Sequence, residues 1–418
     1  MSNALDKGNS KPIKQCQICG GSNLWPVMFL GYMPPVNTMP TVGSTLDAEL
    51  RFPLELVSCD DCTLVQIGYE VAPQILFPHS YPYLSGTTRI LRDNFRNLAE
   101  QCRELFDLGS EDLVIDVGAN DGTLLQPFHE LGCKTLGIEP TQAADVATAR
   151  GIPMVKDYFS EETATRVAKE YGQASVVTAA NVFAHIGGVH AIVEAVKAML
   201  KPGGVFVSES HYLLGLIQTN QYDTIYHEHL RYYSVKSLQR LFQLHDLEIF
   251  RVERIPTHGG SIRVFAAARG LYPIDESVAR VLAEEEAGAL YSHDTLTSFR
   301  ERIMRSKLSL MAMMRDLKAD NARIFGVGAP SRASTLVSYV GLDHTILDCI
   351  VEVSGSHKLD KYMPGTLIPV VDEERLYREQ PEYALLLSWH IADEIAANLR
   401  KRGYNGRFIV PLPEPRIV

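Results

Sequence analysis

The stretch EDLVIDVGANDGTLLQPFHELGCKTLGIEP, residues 111–140, restricts the fold more than any other part of this 418-residue chain. Its apolar run from Leu113 to Val117 has the length of a strand, a turn with Gly118 and Gly122 follows, then helical spacing, then a second apolar run ending at Glu139. Short apolar runs bounded by glycine are strands buried on both faces, and strand, glycine turn, helix, strand is the repeating unit of a doubly wound α/β sheet. A glycine turn that feeds a helix also makes a nucleotide-type binding site, because no Cβ keeps a ligand from the backbone. The dinucleotide fingerprint G-x-G-x-x-G fits poorly, since the order here is Asp116, Gly118, Asn120, Gly122.

That order resembles instead the D/E-x-G-x-x-x-G loop of S-adenosylmethionine (SAM) methyltransferases. In that resemblance the glycines admit the methionine part of SAM, and Glu139, 21 residues beyond Gly118, accepts the ribose hydroxyls. Asn120, Asp121 and Pro140 belong to the same expected cofactor site. Later runs extend the sheet: MVKDYFS (154–160) places Asp157 and Tyr158 at the adenine, ASVVTAANVFAHI (174–186) is a buried strand ending at Asn181, and LKPGGVFVSES (200–210) is a turn and strand. In open α/β sheets ligands lie beyond the carboxyl ends of the strands, where these polar residues stand.

Upstream, CQIC (Cys16, Cys19) and CDDC (Cys59, Cys62) form two CxxC pairs 39 residues apart, a gap wider than a zinc ribbon usually has. The insert GYMPPVNTMPTVG is a Pro- and Gly-rich loop, so closing it costs little extra entropy. One structural zinc held by four thiolates is preferred over a redox dithiol or four ordinary cysteines, and four sulfur ligands leave no open position for catalysis. Cys102, Cys133 and Cys349 stand alone and read as core or surface residues. This cysteine usage suits a reducing compartment. A formal net charge of −10 without a lysine-rich run argues against nucleic acid. With no apolar run of bilayer length and a polar N-terminus, no membrane association is expected and the cytoplasm is the expected location.

Past the last of those strands lies YDTIYHEHLRYYS, residues 222–234. Burying imidazoles, a carboxylate and phenols together costs desolvation, so the cluster needs a reason. A His-x-His metal pair lacks an obvious third ligand, and half-buried packing is the other bland reading. Acid and base chemistry is preferred: a neutral imidazole takes a proton, a carboxylate fixes its tautomer, and a phenol donates to developing negative charge. The cluster is expected to hang over the cleft as a lid. His185, at a helix start beside the cleft, divides evenly between a structural and a catalytic reading. Tyr81 and Tyr83 sit in a Pro-broken loop ahead of a helix marked by Leu91, Phe95 and Leu98, and read on their own as packing aromatics.

The C-terminal third repeats the strand, glycine turn, helix, strand order. In ARIFGVGAPSRASTLVSYVGLDHTILDCIVEVS, Gly326 and Gly328 open the turn, Pro330 breaks the dinucleotide fingerprint, and Arg332 and Ser334 stand near the helix start where a diphosphate would lie. His357, Lys358 and Lys361 read as nucleotide contacts or as solvated charges. Residues 276–320 read as long amphipathic helices between the two lobes.

Together, CQIC…CDDC, DVGANDG, NVFAHI, YHEHLRYYS, HGGSIRVF and GVGAPSRASTL resemble, in that order and over nearly the whole chain, the SAM-dependent sugar C-methyltransferases that act on nucleotide-linked 4-keto-deoxysugars. The resemblance implies a zinc-binding module over 1–75, a class I SAM-methyltransferase domain over 76–270, and a C-terminal Rossmann-like α/β domain over 271–418 that helps hold the substrate's nucleotide, dTDP in most of the family. It implies that His229 removes the proton beside the sugar ketone, with Tyr226 and Glu228 in the same motif. His185 is then a second cleft histidine and Tyr81 or Tyr83 a substrate-contacting phenol, with His258, Arg263, Arg332, Ser334 and Lys358 on the substrate side. The enolate would take the methyl group at C3 or C5, C3 being expected, in deoxysugar biosynthesis, and the enzyme would be a monomer or small homo-oligomer. A zinc-bearing RNA methyltransferase and a non-catalytic SAM-binding scaffold are the competing readings.

Overall fold

Every residue of the Leu113–Val117 strand is buried, and its alternation sends Val114 to one face and Ile115 and Val117 to the other. Both faces therefore need cover, which suits an interior strand. The computed structural model, which describes residues 9–44, 49–77 and 84–418, places it in a seven-stranded sheet. The order is Leu247–Ile255, Ser261–Ala268, Leu200–His211, Ala174–Ala180, Leu113–Val117, Lys134–Ile138, Met154–Val155. The last five strands are parallel and the first two antiparallel to their neighbours. The chain winds outward from Leu113–Val117 on one side and later returns on the other through Ala174–Ala180. The carboxyl ends of these two strands part at that switch, and a crevice opens there. One face of the sheet is covered by the helix Arg89–Phe106, whose Leu91, Phe95, Leu98 and Cys102 recur at helical spacing and pack against Val114, Val176 and Val205. Removing each such large apolar side chain from water contributes about 1.5–3 kcal/mol.

A second seven-stranded sheet repeats this topology: Lys361–Tyr362, Pro369–Asp372, Cys349–Glu352, Ile324–Val327, Tyr383–Leu386, Arg407–Val410, Arg416–Ile417, with the middle five parallel. Its order reverses between Ile324–Val327 and Tyr383–Leu386, beside Gly328 and Ser388. The helices Glu276–Ala287 and His293–Ala319 occupy the amphipathic stretch, and the second buries Leu296, Phe299, Ile303, Leu310 and Met314. It touches both the Ser331–Val340 helix of the C-terminal unit and the Leu24–Met33 strand of the N-terminal module.

That module is a four-stranded antiparallel sheet of Leu24–Met33, Phe52–Cys59, Val65–Ile67 and, from far along the chain, Arg231–Tyr232. The borrowed strand corrects the expectation of a lid. Asp223, His227, Glu228, His229 and Arg231 are all buried, so the segment is a packed wall. Cys102, Cys133 and Cys349 are core residues. Among the described residues no helix is long and apolar enough to cross a membrane.

Candidate active site

The glycine loop is shaped for a ligand by three local constraints. Gly118 has φ +70°, and a Cβ there would meet Val182 Cγ2 at 2.6 Å. Asn120 is also left-handed, and its N–H donates to Glu139 Oε2 at 3.1 Å, while Thr141 N–H donates to Oε1 at 2.9 Å. A carboxylate accepts more than two hydrogen bonds, so Glu139 braces the loop and keeps acceptor capacity for a ligand. Gly118, Asn120, Glu139, Pro140, Tyr158 and Asn181 line a cavity of about 650 Å³. Asn181 Oδ1 is buried there with no hydrogen-bond partner among the described residues, a polar atom that a ligand donor would satisfy. The remaining expected cofactor residues do not line the cavity. Asp116, pushed up to about 8 by burial, accepts from Thr178 Oγ1 at 2.7 Å, and Gly122 packs on Ala147. Asp121 accepts from Gly86 N–H, and Asp157 pairs with Arg166 at 2.6 Å.

Across the cavity stands the histidine wall. His229 Nδ1 lies 2.7 Å from the Thr224 carbonyl, which can only accept, so Nδ1 carries the proton and Nε2 has the free lone pair. The Tyr226 ring is centred 4.0 Å from His229, His185 4.8 Å and His211 4.7 Å away. Burial, with His185 alongside, holds His229 well below the ordinary imidazole range. Burial first, then Arg231, pulls His185 down to about 3, and burial with Arg332 pulls His258 to about 4. These imidazoles are neutral near pH 7. Glu228 Oε1 accepts from Asn37 Nδ2 at 2.7 Å. His227 faces away from the cavity, with Nε2 3.3 Å from the Pro53 carbonyl and its ring edge-on to Phe52, so the two histidines of the motif do not make a metal pair.

Sequence reasoning missed two cavity histidines, His211 and His390. Each had a signal: His211 ends the Leu200–His211 strand and His390 follows Tyr383–Leu386, both at the carboxyl edge where ligands gather. Tyr81 and Tyr83 lie outside the described residues. Of the expected substrate residues, His258 lines the cavity, and its Nε2 has no hydrogen-bond partner among the described residues. The others require correction. Arg263 is fully buried away from the cavity, paired with Glu209 at 2.7 Å and bonded to Asn94, Asn97 and Gln101, where it fastens the Arg89–Phe106 helix to the sheet. Arg332 reaches the cavity wall, yet its five N–H groups go to Asp223 Oδ2 and Oδ1, the His258 carbonyl, His390 Nδ1 and Gln221 Oε1, leaving none for a diphosphate. Ser334 is buried within its helix, and Lys358 Nζ donates to the Ala329 carbonyl at 2.6 Å.

The sulfurs of Cys16, Cys19, Cys59 and Cys62 lie within 4.8 Å of one another, with Cys16 to Cys62 at 3.4 Å and Cys19 to Cys59 at 3.5 Å. A tetrahedral ion with Zn–S bonds of about 2.3 Å has S–S edges of about 3.8 Å, so the group fits zinc. Cys62 draws the Cys16 thiol down to about 5, whereas burial pushes Cys59 up to about 12. All four ligand positions are sulfur, so this zinc is structural.

Family models and one full-length relative identify the family. Residues 16–77 match a zinc binding domain family, 90–252 a methyltransferase domain family, and 256–413 the C-methyltransferase C-terminal domain family. The chain is 34% identical over 411 residues to the C-methyltransferase NovU of Streptomyces niveus, covering 98% of this chain and 97% of that one. A ubiquinone biosynthesis O-methyltransferase of Paraburkholderia xenovorans is 35% identical over 99 residues, 23% of this chain and 43% of the relative. A solved SAM-dependent methyltransferase from Clostridium acetobutylicum aligns at 14% identity and TM-score 0.34, covering 44% of this chain and 94% of that one. A relative that matches from end to end, the matched C-terminal domain family and the four-cysteine cluster lead to one conclusion: the chain belongs to the zinc-bearing, SAM-dependent C-methyltransferase family.

Proposed function

We propose that the enzyme methylates a ring carbon beside the ketone of a nucleotide-linked 4-keto-deoxysugar, with His229 as the base. The observation that carries this reading is the tautomer of His229, whose Nε2 lone pair belongs to the wall of the same cavity as the SAM loop. The ketone acidifies both carbons that flank it, C3 and C5, and C3 is the expected site.

His229 Nε2 takes the proton from that carbon, and the bonding pair moves onto the ketone oxygen as an enolate. Tyr226 and the neutral imidazoles of His185 and His258 are the donors available to that oxygen. SAM supplies an electrophilic methyl group: the carbon–methyl bond forms as the sulfur–methyl bond breaks, and S-adenosylhomocysteine leaves. The imidazolium finds its counter-charge in the enolate, which offsets the low proton affinity that burial imposes on His229. The nucleotide, thymidine diphosphate in this reading, is assigned to the C-terminal switch point, where Ser331, Ser388 and His390 line the cavity.

Solvent exchange tests the assignment. His229→Asn should retain SAM binding and lose turnover by roughly 10²–10⁴, with deuterium incorporation at the sugar carbon falling in step. Wild-type exchange in that variant would move the base to His185 or Tyr226. Proton spectra of the methylated product read out C3 or C5 directly.

A further inference from the structure

Residues 230 and 231, which follow the proposed base, clasp the loop that carries His185. Leu230 N–H donates to the Ala184 carbonyl at 3.0 Å, and Arg231 NH2 donates to the carbonyls of Phe183, at 3.1 Å, and Ile186. The peptides on both sides of His185 are thus tied to the peptide that continues from His229, and the two rings sit 4.8 Å apart. The clasp is locked from a third direction. Gln17, between zinc ligands Cys16 and Cys19, accepts from Arg231 NH1 at 2.6 Å and donates to the Leu230 carbonyl at 3.2 Å. Its own backbone is fixed by the knuckle: Cys16 N–H bonds to Gly21, Gly20 N–H bonds back to Cys16, and Gln17 N–H bonds to Gln66.

Arg231 is 1% exposed. Its acceptors are a phenol (Tyr233), an amide and two carbonyls, all of them neutral. Burying a cation on neutral partners is costly and suits a site where positive potential is useful. Its field is also one of the influences that keep His185 neutral.

We propose that Gln17 and Arg231 are positioning residues through which the zinc knuckle fixes the separation of His185 and His229, so that the metal module sets the geometry of the proton-transfer site without touching substrate. This rests on the reading of His229 as the base. Displacing a reacting group by about 1 Å costs up to roughly 10²-fold in rate, which gives the link its leverage.

The test uses the full-length, zinc-loaded enzyme. Gln17→Leu removes both side-chain bonds and no metal ligand. It should keep wild-type zinc content and SAM affinity, lower kcat by roughly 10-fold or more with KM for the nucleotide sugar within about twofold, and shift the imidazole nitrogen signals of His185 and His229. Gln17→Glu keeps the acceptor for Arg231 and places a carboxylate beside it. The guanidinium's field at His185 is then offset, so the titration of the His185 nitrogen signals should move to higher pH. His211, His258, Arg332, Tyr226 and Glu228, the other groups facing these rings, are unchanged in that variant. Unmoved histidine signals in Gln17→Leu, or wild-type kcat at wild-type zinc content, overturn the proposal. If Gln17→Leu loses zinc, an unmoved His185 titration in Gln17→Glu overturns it as well. Failure of the base assignment reads differently: His229→Asn would still exchange, while the histidine signals would still answer to Gln17.

Discussion

The two doubly wound units are built alike at the glycine turn and surround it differently. Gly118 N–H bonds to the Ile138 carbonyl and Gly328 N–H to that of Val351, both at 2.9 Å. The acid at the end of the second strand braces the loop in each: Glu139 accepts from Asn120 N–H, and Glu352 accepts from Ala329 N–H at 2.8 Å. In the central unit the loop then opens on the cavity, and Asn181 keeps an unpartnered oxygen there. In the C-terminal unit Ser331 and Ser388 also line the cavity, but a protein loop packs against the turn. Asp223 of the histidine segment takes a bidentate pair from Arg332 and a 2.7 Å bond from Trp389 Nε1, while Thr335 holds the Ile225 carbonyl and Ser331 meets Asn37. One turn faces the cavity alone, and the other shares its side of the cavity with a loop. The partner that arrives at the turn decides its role, and the turn by itself does not.

The strongest test of this contrast is to break the clamp. Arg332→Met leaves the Asp223 carboxylate buried without its cation and should cost about 3–5 kcal/mol in urea unfolding, while Arg332→Met with Asp223→Leu should recover much of it. A single variant as stable as wild type would show that the pair is not the clamp. A gentler test compares the two bracing acids. Glu139→Ala should weaken SAM binding by about 1.5–3 kcal/mol in calorimetry, whereas Glu352→Ala should leave SAM affinity alone. Equal losses would erase the distinction between the loops. The smallest expected effect concerns the cavity histidines that both units contribute. His185 and His390 are drawn down to about 3 and His258 to about 4 by burial first, and His229 also lies below the ordinary range. A histidine with a lowered pKa stays neutral as pH falls through 6.5, so kcat/KM should hold level from pH 7 to 6.5 and decline only below that. An acid limb centred at or above 6.5 would mean that the base is an unperturbed imidazole.

Much of this was legible in the chain. Leu113–Val117 has no polar residue before Asp116, which marks a strand covered on both faces, and Gly118 and Gly122 mark the turn after it, where Gly118, Asn120 and Gly122 all take left-handed φ. The two CxxC pairs marked the four cysteines that converge, since paired thiols of that type supply a tetrahedral ion in spite of the wide gap between them. The substrate side was less legible. Arg263 and Arg332 look alike in sequence, cations near strand ends or helix starts, and both are consumed by carboxylates more than fifty residues away, Glu209 and Asp223. A charged side chain's partner is set by which surfaces pack together, and no local pattern encodes that. His211 and His390 were readable from their strand ends but not that they would share one cavity. The sequence alone determined the elements, the glycine turn and the pairing of cysteines that cluster, because each depends on spacing within a few tens of residues. Only the tertiary structure decided that Arg231–Tyr232 completes the zinc sheet, that Gln17 touches the histidine wall and that Asp223 pairs with Arg332 beside the second glycine turn. These are contacts between segments brought together by burial of a shared apolar core, and their energies exist only once that core has formed.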